Sequence, residues 1–167
     1  VRILAFYMLN DADVGVQQAA ERALTGLGTD DARAALADLL AQGTLDAAKR
    51  ARVVKALSGF EGAAVREALG RHLEDPDPRV VDEAALALAR AREGVAVTYL
   101  LAILRRVEDP LRPRAREALE DLTSLTIPIT SYEALADQYE AWFRSHRQGG
   151  DRTWFRDAVA RKGYDTT

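Results

Sequence analysis

Two histidines and no cysteine make up the soft-ligand inventory of this 167-residue chain. Neither His72 nor His146 has a second ligand three or four positions away, the spacing that would place two donors on one helical face. No metal site and no cofactor are therefore expected. Absence of cysteine removes disulfides, thiolate nucleophiles and cysteine-type zinc sites together. A Gly-x-Ser-x-Gly elbow, a phosphate-cradling glycine loop and a reactive serine paired with a histidine are all missing from the sequence. No catalytic residue is assigned, and the expectation is a protein that is not an enzyme. His72 reads as a partly buried structural imidazole. His146 reads as a donor for the free carbonyls at a helix end.

Carboxylates are plentiful, but Asp11, Asp13, Asp30, Asp31, Asp75, Asp77, Glu108 and Asp109 fall at helix starts and turns, where capping and the helix dipole account for them. Five arginines, Arg105, Arg106, Arg112, Arg114 and Arg116, form the densest basic cluster. A phosphate-binding edge would use such a set. Glu108, Asp109, Glu117, Glu120 and Asp121 are interleaved with them, so local neutralisation is expected. A formal charge of −3 with 29% charged residues also argues against a nucleic-acid partner.

What positions these residues is a repeat. The apolar set Val16, Ala20, Leu24, Leu27 and then Leu36, Leu39, Leu40 shifts by 33 onto Lys49, Val53, Leu57, Phe60 and Leu69, His72, Leu73. A further 31 reaches Val80, Ala84, Leu88, Ala91 and Leu100, Ile103, Leu104; another 34 reaches Arg114, Ala118, Leu122 and Leu125. Subtracting 33 lays Ile3, Phe6 and Tyr7 over Leu36, Leu39 and Leu40, which makes Val1 to Leu9 the second helix of a repeat without its first. Each set has the spacing of an amphipathic helix. Each unit reads as a helical hairpin with an inner break at Gly28-Thr29-Asp30, Glu61-Gly62 or Arg92-Glu93-Gly94. Gly43-Thr44, Asp75-Pro76-Asp77-Pro78 and Asp109-Pro110 separate one unit from the next, because proline lacks a donor and disfavours helix before it. Small residues Ala19, Ala20, Ala84, Ala85 and Ala118 let helix axes approach.

Two-helix units cannot bury their apolar faces alone and must stack. The predicted fold is all-α, an α-α superhelix: a right-handed solenoid of helical hairpins with a C-terminal helical cap. Residues 1–125 form the array, with a half repeat 1–10, repeats 11–43, 44–75 and 76–109, and a first helix 110–125. Residues 126–167 form the cap. There Thr130 and Glu133 fit a capping box, and Tyr132, Leu135, Tyr139, Trp142, Phe143 and His146 share a helical face. Asp151 is set to cap a final helix carrying Trp154. These rings read first as a cover for the last hairpin and second as an aromatic docking patch through Trp142 and Trp154.

Second helices line the concave side of such an array. With Leu36, Leu69 and Leu100 inward, Arg33, Arg66 and Val97 form one outward column, Ala37, Gly70 and Leu101 another, and Ala34, Glu67 and Thr98 a third. This narrow groove of small residues and mixed charge suits a peptide or helix.

The run from Asp75 through Pro76, Asp77, Pro78 and Arg79 to Leu88 resembles the opening of a bacterial HEAT repeat of the short, phycobilin-lyase-like type, and Pro110 to Leu122 resembles it again. The resemblance implies a protein-interaction scaffold that binds a protein or peptide. It admits lyases and one class of DNA glycosylases as enzymatic alternatives, but the near-neutral groove and the placement of both tryptophans in the cap depart from a glycosylase. A structural segment of a larger protein is a further alternative, since the chain opens on Val1 rather than Met. Arginine-rich, lysine-poor composition points to a GC-rich bacterial genome. No apolar run reaches the roughly 18 residues of a membrane span, so a soluble chain without membrane insertion is expected. The compartment is open, with the cytoplasm as default.

Overall fold

A computed structural model of the chain describes residues 1–146. Among these residues it contains nine α-helices and a short 3-10 turn: α1 (Arg2–Asn10), α2 (Val14–Leu27), α3 (Asp30–Ala41), α4 (Ala47–Leu57), α5 (Ala63–Arg71) followed by the turn His72–Glu74, α6 (Pro78–Arg90), α7 (Ala96–Arg105), α8 (Arg112–Thr123) and α9 (Tyr132–His146). The expected all-α helical-repeat class is what the structure shows.

Local chemistry sets the helix limits. Asp13 accepts from the Gly15 amide at 2.6 Å, Thr29 from Ala32 at 3.3 Å and Asp46 from Lys49 at 2.9 Å, each satisfying an amide that the first helical turn leaves free. Gly28, at φ 59°, closes α2 in the left-handed conformation that side chains resist. At the cap, Ser131 rather than Thr130 is the capping residue: its hydroxyl accepts from the Ala134 amide at 3.1 Å. The one-residue shift puts Ala134 where a capping box needs a glutamate, so Glu133 has no part in one.

By compactness the chain divides into two units, Val1–Ala87 and a second that begins at Leu88; the division falls inside α6 and not at an inter-repeat break. In unit 1 the core columns follow the repeat: Leu24, Leu57, Leu36 and Leu69 are fully buried. Val16 and Leu27 are exposed, whereas Val80, in the same column as Val16, is fully buried. The register of α1 differs from expectation. It buries Ala5, Met8 and Leu9, a shift of 31 from Leu36, Leu39 and Leu40, and leaves Ile3, Phe6 and Tyr7 in solvent. The three-residue turn Asp11–Asp13 is too short for the 33-residue step, which rotates α1 so that Met8 and Leu9 face inward.

The closest helix pairs also differ from expectation. Axes approach most across the breaks, α1 with α2 and α3 with α4, and less within the α2–α3 and α4–α5 hairpins. Each of these helices buries an alanine, Ala5, Ala20, Ala32 and Ala56, and small buried side chains permit close approach. Polar ties join α4 to α1 and α2. Arg52 donates to the Met8 carbonyl at 3.0 Å and to Gln17 Oε1, and Lys49 Nζ reaches Asn10 Oδ1 at 2.9 Å. Arg50 forms a two-pronged pair with Asp75, both bonds 2.9 Å, and donates to the Leu45 carbonyl at 2.8 Å, which locks the start of α4 to the turn before α6.

In unit 2, α7 packs against both α8 and α9. Ala96, Val97, Leu100, Leu101, Ile103 and Leu104 of α7 are all buried, as are Leu119 and Leu122 of α8 and Leu135, Ala136 and Tyr139 of α9. Tyr139 is anchored where its hydroxyl donates to the Leu125 carbonyl at 2.8 Å.

Candidate functional site

An open groove of about 680 Å³ runs between α1 and α3, the helices that the expected repeat makes second helices of successive units. Its α1 wall includes Arg2, Ala5, Phe6, Leu9 and Asn10; its α3 wall includes Asp31, Ala34, Ala35, Asp38 and Leu39. The arrangement follows from sequence. Alanines at Ala34 and Ala35 leave space that a larger residue would fill. The rotated register of α1 then turns Phe6 toward the opening, 62% exposed, beside Ile3 at 72% and Tyr7 at 44%. Phe6 and Tyr7 meet edge to face, with ring centroids 6.0 Å apart. Three large apolar residues at i, i+3 and i+4 on the solvent side of one helix form a contiguous ridge.

The α3 wall is acidic. Asp31 and Asp38 lie seven positions apart, about 10 Å along the axis, and neither makes a side-chain hydrogen bond or ion pair with a described residue. Asp30, next to them, is paired with Arg33 at 3.0 Å.

Of the expected groove residues, Ala34 lines this site, Ala37 is half-buried on the same helix, and Arg33 is occupied by Asp30. Arg66 and Glu67 are exposed on α5 and Gly70 is half-buried. Thr98 is exposed on α7. Val97 and Leu101 are not outward: they are 1% and 3% exposed. Periodicity assigned them by analogy with α3 and α5, but α7 is apolar on nearly every side and is flanked by α8 and α9, so those columns are core in unit 2. Phe6, Ile3 and Tyr7 were missed as surface residues because a step of 33 placed them in the core. The step of 31 that recurs between the second and third units was the signal that could have found them.

The cap residues divide. Trp142 is half-buried and stacks on His146, centroids 4.5 Å apart at 18°, while His146 Nδ1 lies 2.8 Å from the Trp142 carbonyl. Trp154 and the Asp151 cap lie outside the described residues. His72 is half-buried at the end of α5, with Nδ1 2.8 Å from the Ala68 carbonyl.

The arginine cluster is spent on internal pairs. Arg105 binds Asp137 at 2.9 Å and Glu140 at 2.5 Å, Arg106 reaches Asp109 at 3.4 Å, Arg116 binds Glu120 at 2.8 Å, and Arg112 lies over the Tyr132 ring, 5.0 Å from its centroid. These bonds raise the Arg105 pKa and hold the Glu140 carboxyl below the usual range, Arg105 being the main cause. Two of the acids come from α9, which interleaving within residues 105–121 did not include.

Residues 40–120, from the end of α3 to α8, match the family model of HEAT repeats, in keeping with the all-α helical-repeat fold class. No curated protein matches the chain. The groove lies almost entirely N-terminal to the matched stretch, with Gln42 its one lining residue inside it. No helix among the described residues is long and apolar enough to cross a membrane.

Proposed function

We propose that the chain is a protein-interaction module, not an enzyme, and that it holds a segment of a partner protein on the second-helix face of unit 1. The observation that carries this reading is the open α1–α3 groove, with Phe6, 62% exposed, in its wall. Clustered apolar surface of this kind marks interaction sites more often than it occurs by chance. HEAT repeats commonly act by binding proteins, which supports the reading. The repeat steps of 31 to 34 residues and the Asp75–Leu88 run favour the short bacterial type.

A peptide library displayed on phage and selected against the chain tests the proposal. Enriched sequences should lose binding to Phe6→Ser and Ala34→Arg and retain it with Arg92→Ala in unit 2. Enrichment that ignores the first two changes, or no enrichment, would count against it.

A further inference from the structure

We draw no further inference here: the strongest candidate, the exposed apolar face of α1 beside the α1–α3 groove, belongs to the surface already described, and nothing in the structure shows what covers it.

Discussion

Asp75 shows how one side chain ties the start of a repeat to the break that ends it. It is half-buried beside Arg50, which donates two bonds to it, and it also accepts from the Asp77 amide at 2.9 Å. The Arg50 hydrogen bonds are the main reason its carboxyl lies below the usual carboxylate range. Asp77, held chiefly by Arg79, lies at about 2. A depressed carboxyl stabilises the fold above its unfolded pKa, roughly 3.9, and the contribution is lost as pH falls through the folded value. Acidification from about pH 4 towards 2 should therefore lower the melting temperature of the wild type more than that of Asp75→Asn. At neutral pH the same substitution should cost about 1–3 kcal/mol in denaturant unfolding, the range for charged hydrogen bonds. Tyr139 is the counterpart in unit 2. Burial, with a smaller push from Glu120, raises its hydroxyl above the ordinary tyrosine range. Alkaline spectrophotometric titration should leave one tyrosine un-ionised until the protein unfolds, and Tyr139→Phe should remove that group at a cost of about 1 kcal/mol.

Helices were the most legible level in the sequence, and their rotation the least. The proline-containing breaks Asp75–Asp77 and Asp109–Pro110 lie between helical elements, and Pro78 is the first residue of α6, where its missing donor costs nothing. Leu36, Leu69 and Leu100 are core as expected, because a leucine repeated at fixed spacing has one physical reason to be there. Which side of α1 faced inward was not legible. A two-residue slip rotates a helix by about 200°, and both candidate sets, Ile3-Phe6-Tyr7 and Ala5-Met8-Leu9, are apolar. Val97 and Leu101 were misplaced since burial there depends on α8 and α9, neighbours that periodicity along α7 does not contain. Two measurements test these assignments in stability. Leu100→Ala should cost about 2–5 kcal/mol, whereas Phe6→Ala should stay within about 0.5 kcal/mol. Glu108 holds φ 57° at the turn before α8. Glu108→Gly should raise stability by about 0.5–1 kcal/mol, since the left-handed conformation strains a residue with a Cβ.

At the scale of the whole molecule, charge and apolar surface are distributed unequally. Arg105 and Arg116 of unit 2 are paired with acids of the same unit, and α7 is buried under its neighbours. Unit 1 keeps an apolar ridge in the open and two exposed aspartates that have no side-chain partner among the described residues. Binding on unit 1 predicts that stability and recognition separate: Phe6→Ser changes binding without changing melting, and Asp75→Asn does the reverse. The most direct measurement of that central claim is hydrogen exchange, read by mass spectrometry, on the chain alone and saturated with the tightest library-selected peptide. Slower exchange confined to α1 and α3 is the predicted result. Protection in α9 with α1 and α3 unchanged would contradict it.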